Sequence, residues 1–413
     1  MKIAFVVGEF PSISQTFILS QITGLIDRGH QVDIYANVGQ KQPKNHPDVE
    51  KYDLLRHTHY WPPIPENQIW RWVKGTGLLL THSFKDPVLL GRSLNVLKYG
   101  KEAASFRLLY PTLPLLKERP AYDIIHCHFG WSGLQSAFLK DIGALRGKLI
   151  TTFHGFDITT SLKLFGDRLY DPLFRMGNLF LPISQRWQQR LIELGCDEQK
   201  IMVHRMGIDC QKFTFAPRQP DADGSIRLVT IARLVEKKGI EYGIRAVAQL
   251  AETYPSLEYH VVGDGPLRDA LSDLIQNLGV QKHVKLLGWK QDQEVLEILN
   301  QAHILLAPSV TSQDGDQEGI PVALMEAMAM GLPVISTFHS GIPELIEHGS
   351  SGFLVPERDA DTLASKLSYL IEQPEIWPQM GHAGRSYVET HYNINQLNDR
   401  LVEIYQQLLL QPC

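Results

Sequence analysis

Two glutamates stand around the predicted start of a helix in the second half of the chain. Glu318 precedes Pro321, a residue favoured in the first turn of a helix, and Glu326 lies in the apolar run that follows. Backbone N–H groups of residues 319–322 would face the space beyond the preceding strand, where a helix N-terminus favours a diphosphate or sugar oxygens. Glu326 lies ~7–8 Å further along the helix, so the two carboxylates can address different parts of one elongated ligand.

Each glutamate also has an ordinary interpretation: Glu318 as a loop carboxylate near a helix start, and Glu326 as a solvated helix residue. Glu326, however, interrupts the run Val-Ala-Leu-Met-Glu-Ala-Met-Ala-Met. A carboxylate in such apolar surroundings needs a partner to offset its desolvation, and the hydroxyl of a bound ligand would serve.

A basic turn and a glycine turn follow two earlier strands of the same half. Arg233 offers a planar fork and Lys238 a compact charge, the usual pair around a diphosphate, although a solvated basic turn is the alternative. Gly263 and Gly265 follow the next strand, and a tight turn alone can require glycine there. Because several successive strands of this half end in such loops, the pattern predicts a nucleotide-binding half.

In the first half, His154 is predicted at the carboxyl end of a strand, with Asp157 three residues later. The pair favours a role in orienting a sugar, and the alternative is a histidine that only caps the strand. His126 and His128 have the spacing of one strand face, but no third ligand suggests a metal, and Cys127 is predicted to be core.

Parallel sheets must position these residues, because strand-length apolar runs alternate with helical patterns in both halves. Residues 40–120 are less regular, and a polar stretch at 214–224 predicts a linker. Two successive parallel sheets place their ligands at the carboxyl ends of the strands, so a cleft between two domains is the expected site. The predicted strands lie at residues 2–7, 31–36, 123–129, 148–154, 178–184, 227–232, 258–262, 284–287, 304–307 and 333–336.

The composition agrees with two α/β domains of roughly 200 residues each. The chain has 413 residues, of which 44% are hydrophobic and 21% charged, so a largely disordered protein is excluded. A net charge of -5 argues against a dedicated nucleic-acid binder. Four scattered cysteines without a CxxC pair predict a reduced, cytosolic location. The opening segment is typical of a strand, not a signal peptide, and no run approaches the ~18 apolar residues of a membrane span.

Four motifs together resemble glycosyltransferase family 4, the retaining enzymes of the GT-B fold. They are residues 233–239, residues 262–266, the spacing of Glu318 and Glu326, and the His-Gly-Phe-Asp run at 154–157. The resemblance implies two Rossmann-like domains with parallel sheets facing across a cleft, an acceptor-binding domain at 1–210 and a nucleotide-sugar-binding domain at 225–393. Residues 394–413 are expected to pack back on the N-terminal domain through helically spaced apolar residues.

The resemblance also implies a role for each motif residue. Arg233 and Lys238 would grip the donor diphosphate as it leaves, and Glu326 would bind the ribose hydroxyls. Glu318 would contact the donor sugar, and His154 would hydrogen-bond that sugar near the reacting carbon. Further donor contacts are expected from Gly263, Gly265, Gly319, Ile320, Pro321 and Val322. Since two cations and a helix dipole can neutralise the diphosphate, no metal or other cofactor is expected.

The loop after the first strand is similar to that of family members that build exopolysaccharides of the colanic-acid type. Glu9 and Gln15 make it bulkier than the double-glycine loop of many relatives, and Ser14 lies in the same loop. These residues, with Asp157, are the candidate acceptor contacts. The expected activity is hexosyl transfer from a UDP- or GDP-sugar to a glycan or lipid-linked acceptor.

Residues 70–120 combine basic and aromatic side chains. Nine lysines and arginines against three acids give this segment a net charge of +6, while the rest of the chain sums to -11. Such a surface can sit on an anionic leaflet, which predicts peripheral contact with the inner face of the cell membrane. An ordinary solvated helix pair is the alternative.

Two other function classes remain open from the sequence. One is a non-catalytic sensor or scaffold that binds nucleotide sugars, which the intact set of motif residues disfavours. The other is different chemistry on the same fold, such as sugar-nucleotide epimerisation or phosphorolysis.

Overall fold

The computed structural model describes residues 1–12, 15–39, 46–116 and 119–411. The chain divides into two compact units, and each contains one six-stranded parallel sheet. Unit 1 comprises Met1–Ile183, Trp187–His204 and Asn398–Cys413, and unit 2 comprises Ser184–Arg186 and Arg205–Leu397.

The sheet of unit 1 has the strand order β3-β2-β1-β4-β5-β6. Its strands are β1 (Lys2–Glu9), β2 (Gln31–Val38), β3 (Thr58–Tyr60), β4 (Ala121–His128), β5 (Arg146–Phe153) and β6 (Leu179–Pro182). The order reverses between β1 and β4, where Val6 pairs with Cys127. In open parallel sheets of this kind, ligands bind beyond the carboxyl ends of the strands at such a reversal.

Helices cover both faces of this sheet, because the strands are apolar on both sides. The α-helices between β1 and the end of this part of the chain are α1 (Thr16–Asp27), α2 (Pro47–Lys51), α3 (Gln68–His82), α4 (Pro87–Ser93), α5 (Val96–Ala104), α6 (Leu109–Thr112), α7 (Gly130–Asp141), α8 (Thr160–Phe165), α9 (Asp171–Met176) and α10 (Gln185–Glu193). On one face, Ile3 and Phe5 of β1 share a core with Ile18 and Ile22 of α1.

The sheet of unit 2 repeats this order, as β12-β11-β10-β7-β8-β9. Its strands are β7 (Ile226–Ile231), β8 (Leu257–Val262), β9 (Val284–Gly288), β10 (Ile304–Ala307), β11 (Val334–Thr337) and β12 (Phe353–Val355). The reversal lies between β7 and β10, where Leu305 pairs with Val229. The loops that follow these two strands therefore flank the expected ligand crevice of unit 2.

Two apolar clusters sandwich the second sheet. Ile304 and Leu306 of β10 point into one cluster, and Leu305 between them points into the other. The surrounding helices are α11 (Ile240–Leu250), α12 (Arg268–Asn277), α13 (Asp292–Gln301), α14 (Val322–Ala329), α15 (Ala360–Glu372) and α16 (Trp377–His391).

The last helix, α17 (Ile394–Leu410), packs on unit 1. Its residues Leu401, Ile404, Tyr405 and Leu408 are buried in the same cluster as β1 and α1. Gly24 permits the approach, since a Cβ there would lie 2.0 Å from the side-chain nitrogen of Asn398. The expected return of the C-terminal helix to the N-terminal part of the chain is confirmed.

The ten predicted strands are all present, with ends shifted by a few residues, whereas β3 and β12 were not predicted. Both are edge strands of three residues, too short for a hydrophobic pattern to reveal. The boundary between the units falls at His204 and Arg205, ahead of the stretch predicted as a linker. That stretch is held in unit 2 by buried Arg218, which donates to the carbonyl oxygens of Asn300 (2.6 Å) and Met330 (3.1 Å).

Within the described residues, no helix is both long enough and apolar enough to cross a membrane. Cys127, Cys196 and Cys210 are buried free thiols, and Cys127 is a core residue of β4 as predicted.

Candidate functional site

The loops that follow β7 and β10 meet at the strand-order reversal of unit 2. A backbone hydrogen bond from Val310 to Lys237 (2.9 Å) joins them. Gly239 makes the approach possible, because it has a φ of +59° and a Cβ there would lie 1.9 Å from the carbonyl oxygen of Pro308. The predicted basic turn and the predicted glutamate loop are thus brought together by the backbone.

Glu318 lies in this junction as a buried carboxylate between two lysines. One carboxylate oxygen accepts a hydrogen bond from Lys238 Nζ at 2.9 Å, and the other lies 3.7 Å from Lys237 Nζ. Although burial opposes ionisation, Lys238 and Lys237 hold the pKa of Glu318 below its ordinary value. Lys237 also pairs with Asp316 at 2.9 Å. The structure therefore keeps Glu318 charged in a place where an isolated carboxylate would be costly.

The backbone of Glu318 is fixed by a second set of hydrogen bonds. Its N–H donates to Nε2 of buried His339 at 3.0 Å, so the ring proton lies on Nδ1, which is 2.6 Å from a carboxylate oxygen of Glu357. The N–H of Thr311 donates to the other oxygen of Glu357 at 2.7 Å. Against the effect of burial, these bonds hold the pKa of Glu357 below its ordinary value. His339 and Glu357 therefore position Glu318. Neither residue was among the site residues predicted from the sequence.

Helix α14 begins at Val322, with Pro321 as its N-cap, one residue later than predicted. Proline has no side-chain group to cap the helix. Within the described part of the chain, no acceptor meets the backbone N–H of Gly319, Ile320 or Val322. The end of the Glu318 loop therefore presents free donors, as a site for ligand oxygens requires.

Glu326 is half-buried on α14, four residues after the helix begins at Val322. Burial, aided by the negative charge of Asp292, raises the pKa of Glu326 to about 7. Among the described residues none donates a hydrogen bond to its carboxylate. The predicted need for a hydroxyl partner is thus unmet within the protein itself.

Arg233 is exposed in the loop after β7, and no carboxylate of the described residues pairs with it. Gly263 and Gly265 lie behind this loop. A Cβ on Gly263 would lie 1.9 Å from the carbonyl oxygen of Ala232, and one on Gly265 would lie 2.6 Å from that of Leu234. These glycines therefore let the loop after β8 pack closely against the loop that carries Arg233. This contact accounts for glycine at both positions without a ligand.

In unit 1, three histidines form a stack across the ends of β4 and β5. The rings of His126 and His128 are 4.8 Å apart, and those of His128 and His154 are 5.2 Å apart. His128 Nδ1 and His154 Nε2 share a hydrogen bond of 3.0 Å. At the far end, His126 lies 2.5 Å from the hydroxyl of Tyr405 and 2.7 Å from that of Thr152.

All members of this stack are held neutral. Burial lowers the pKa of His126 and of His154 to about 3, and it lowers that of His128 well below its ordinary value. His204, a further buried histidine of unit 1 that is not one of these three, has its pKa lowered to about 4 by burial and by the positive charge of Arg400. A neutral imidazole has one donor and one acceptor, so His154 can form a hydrogen bond with a hydroxyl without placing a positive charge beside it.

Asp157 is fully buried beneath His154. Its carboxylate accepts hydrogen bonds from the backbone N–H groups of Gly130 (2.9 Å), His154 (3.1 Å) and Gly155 (3.0 Å). Burial raises the pKa of Asp157 to about 6, although these hydrogen bonds oppose the shift. Asp157 holds the histidine loop in place, and its burial argues against the acceptor contact predicted for it.

The other predicted acceptor residues lie at the start of unit 1. Glu9 ends β1 and is half-buried, and Gln15 is the N-cap of α1. The side-chain oxygen of Gln15 is buried and meets no donor in the described part of the chain. Ser14 lies outside the described residues. Phe17, which was not predicted, packs 5.1 Å from the ring of His154.

Sequence reasoning missed Lys237, His339 and Glu357 in unit 2, and it missed His128 as the partner of His154. Lys237 adjoins Lys238, so the doubled lysine was a usable signal. His339 and Glu357 follow β11 and β12, and only the folded sheet brings them to Glu318. Among the described residues, no three His, Cys, Asp or Glu side chains are placed to hold a metal ion.

Comparison with known proteins identifies the family. Residues 14–212 match the Glycosyltransferase Family 4 model, and residues 212–387 match the model of glycosyl transferases group 1. The amylovoran biosynthesis glycosyltransferase AmsK of Erwinia amylovora is 39% identical over 412 residues, covering 99% of this chain and 100% of AmsK. The chain belongs to glycosyltransferase family 4.

A second relative of this family 4 glycosyltransferase is WcaL of Escherichia coli, a protein named for colanic acid biosynthesis. It is 38% identical over 411 residues, which cover 99% of this chain and 100% of WcaL. The expected relationship to exopolysaccharide biosynthesis enzymes is confirmed.

Solved structures agree on the fold of this family 4 enzyme. HepE of Anabaena, in complex with UDP, superposes with a TM-score of 0.73 at 18% identity, over 98% of this chain and 100% of HepE. Sucrose-phosphate synthase of Thermosynechococcus elongatus gives a TM-score of 0.69 at 18% identity, over 99% of both chains. These matches confirm the expected GT-B fold.

Proposed function

We propose that this enzyme transfers a hexosyl group, with retention of anomeric configuration, from a UDP- or GDP-sugar to a glycan or lipid-linked acceptor in exopolysaccharide or cell-envelope polysaccharide biosynthesis. One observation carries the donor half: Glu318 is held ionised between Lys237 and Lys238 at the strand-order reversal of unit 2. This is the place where open parallel sheets bind nucleotides.

The leaving diphosphate is neutralised by protein groups alone. Arg233, which no carboxylate of the described residues pairs with, can form bidentate hydrogen bonds with phosphate oxygens. Lys238, now paired with Glu318, exchanges part of that pairing for the diphosphate when the donor binds. The free N–H groups at the start of α14 add fixed dipoles, so charge develops in a preorganised site that needs no metal.

The two glutamates divide the rest of the donor. Glu318 accepts hydrogen bonds from hydroxyls of the donor sugar. Glu326, whose carboxylate meets no donor among the described residues, accepts those of the ribose. Trp289, which is 60% exposed after β9, offers a face for the base. A UDP donor is supported by HepE, which was solved with UDP and with UDP-glucose.

Unit 1 supplies the acceptor side and His154. Because its imidazole is neutral, His154 hydrogen-bonds a sugar hydroxyl and adds no charge next to the reacting carbon. The names of AmsK and WcaL support an exopolysaccharide acceptor. Membership of glycosyltransferase family 4, whose members the sequence resemblance describes as retaining, supports retention.

The enzyme also touches an anionic membrane through α3 and α5. These two helices and the chain just after α3 expose Ile69, Trp70, Val73, Leu80, Phe84 and Leu97, and all of these except Ile69 lie within the basic segment 70–120. Interfacial helices bind bilayers through such a mixture of apolar and basic side chains.

A panel of UDP-, GDP- and ADP-sugars tests the donor proposal by thermal stabilisation. A true donor at a hundredfold excess over its Kd should add ~2.7 kcal/mol of stability, and Arg233→Ala should remove most of that gain. If no sugar nucleotide stabilises the protein, the assignment of the unit 2 site is wrong. The anomeric configuration of the product, read by NMR, tests retention separately.

A further inference from the structure

Only one ring nitrogen of His154 is available to a ligand. Nε2 of His154 is occupied by the 3.0 Å hydrogen bond with Nδ1 of His128. Phe129 and Phe17 fix the ring of His154 from other sides, with ring centroids 4.5 Å and 5.1 Å away. Within the described part of the chain, Nδ1 of His154 has no hydrogen-bond partner, and it is not among the polar atoms that are fully enclosed. A sugar oxygen can therefore meet His154 only at Nδ1.

The hydrogen bond between the two rings couples the positions of their protons. Burial lowers the pKa of both histidines far enough that each ring is neutral and carries one proton. If His128 donates from Nδ1, Nε2 of His154 is the acceptor and the proton of His154 lies on Nδ1. If His154 donates from Nε2, its Nδ1 is a bare lone pair. The direction of this bond therefore decides whether His154 is a donor or an acceptor towards the sugar.

The far nitrogen of His128 favours the first direction. Nε2 of His128 is buried and meets no partner in the described ranges, and the ring stacks 5.7 Å from Phe5 of the apolar cluster. In the second direction this nitrogen would be an unpaired N–H, whereas in the first it is only a lone pair. Among backbone groups of native proteins, unpaired buried N–H groups are rarer than under-satisfied acceptors, and we apply the same preference to the ring.

We propose that His128 is a positioning residue that donates from Nδ1 to Nε2 of His154 and so makes Nδ1 of His154 a hydrogen-bond donor to a sugar oxygen. The inference rests on the sugar contact of the proposed function and adds its direction. Because His128 occupies the lone pair of Nε2 and Nδ1 carries the proton, His154 has no lone pair with which to remove a proton from the acceptor. His154 thus stabilises the sugar without acting as a general base.

Asparagine and glutamine at position 128 separate the two ring nitrogens of His128. The amide of asparagine reaches the position of Nδ1, and that of glutamine reaches the position of Nε2. His128→Gln should lower kcat about tenfold, as expected for the loss of one hydrogen bond, whereas His128→Asn should keep most of the activity. Both variants should leave product nucleotide affinity unchanged, because the nucleotide binds in unit 2. Each variant replaces a buried ring by a smaller amide, so each controls for the packing defect of the other.

Two-bond nitrogen–proton NMR spectra of the protein labelled with ¹⁵N-histidine report the tautomer of His154 without any substrate. The signals of His154 are assigned by their loss in His154→Gln. We expect the proton on Nδ1 of His154 in the wild type and in His128→Asn, and a mixture of tautomers in His128→Gln.

A proton on Nε2 of His154 in the wild type, or equal losses of kcat in the two variants of His128, would overturn the proposal. The expected spectra in a protein that transfers no hexosyl group from any UDP- or GDP-sugar would retain the positioning by His128 and reject the proposed function. The spectra and the rates therefore separate the two failures.

Discussion

The two units share a strand order and place their candidate residues at the same edge of the sheet, yet they treat ionisable groups in opposite ways. Unit 2 buries Glu318 as a charged group and surrounds it with Lys237 and Lys238. Unit 1 buries His126, His128 and His154 as uncharged groups in one stack. The same architecture therefore supports both a charged site and a neutral one.

The difference follows from where the polar residues sit on the chain. In unit 2 they lie on loops beyond the strands, where the charges of Lys237 and Lys238 offset the cost of burying the ionised Glu318. In unit 1 His126 and His128 lie on β4 itself, within the sheet, where desolvation exceeds any gain from protonation. In the proposed function, the charged residues of unit 2 bind the donor, whereas the neutral His154 of unit 1 binds a sugar hydroxyl.

The largest expected effect of this contrast is acid unfolding of unit 1. Histidines whose pKa is lowered by folding stay neutral in the native state and take up protons on unfolding, once the pH is below about 6.5. Their stabilisation is complete above that pH and falls towards pH 3–4, the native values of His126, His154 and His204. Each histidine should contribute a loss of about 1.4 kcal/mol per pH unit. Asp157, with its pKa raised to about 6, has the opposite effect on stability as the pH falls, and it offsets part of the loss contributed by one histidine.

Urea unfolding followed by circular dichroism between pH 7.5 and 4.5 measures this slope. His204→Gln should reduce the slope of stability against pH by about 1.4 kcal/mol per pH unit, because that variant removes one buried ring that titrates on unfolding. His59→Gln, at an exposed position, is the matched control and should leave the slope unchanged. A slope that is equal in the wild type and in His204→Gln would show that His204 is not held neutral in the fold.

A second, smaller effect tests the charged site through Glu318→Gln. The variant should lower turnover by about a hundredfold, or about 2.7 kcal/mol, as expected for loss of one preorganised group. It should leave nucleoside diphosphate affinity unchanged or higher, because Lys237 and Lys238 lose their carboxylate partner. Initial rates together with calorimetric titration of the product nucleotide measure both quantities.

Glu326→Gln is the companion variant, and the reverse pattern is expected of it. Because Glu326 is assigned to the ribose in substrate and product alike, product affinity should fall about tenfold. If both variants lost product affinity equally, the two glutamates would share one structural role and the division between sugar and ribose would be wrong.

The sequence was sufficient for ten of the twelve strands and for the motif loops, since a continuous apolar run and a Gly-containing turn are local signals. It was not sufficient for His339 and Glu357, whose role arises only when β11 and β12 are added beside β10. The same applies to Tyr405, which meets His126 across 279 positions of sequence. Burial of Asp157 was also not predictable, because its partners are backbone N–H groups that its own fold supplies.

A third prediction concerns Glu357→Gln, which should lower turnover about tenfold with little change in product nucleotide affinity. The amide weakens the charge-assisted hydrogen bond that fixes the tautomer of His339, and with it the acceptor for the Glu318 N–H. Glu347→Gln, at an exposed position of the same unit, is the matched control. A parallel loss in thermal stability and turnover would indicate a merely structural role, whereas lower turnover at unchanged stability supports positioning.

The last prediction is that excess EDTA leaves the activity of the enzyme unchanged. Arg233, Lys237 and Lys238 supply three positive charges at the strand-order reversal, and the N–H groups at the start of α14 add fixed dipoles towards the same loop. Glu318 already uses part of the lysine charge, so the prediction depends on Arg233 carrying the diphosphate when the donor is bound. Initial rates with and without EDTA should therefore agree in the wild type, and Arg233→Ala should become the variant whose residual activity responds to added magnesium. Complete loss of wild-type activity in EDTA, restored by magnesium, would show that the cations of unit 2 do not suffice. The charged site of unit 2 would then need a metal ion in addition to its protein groups.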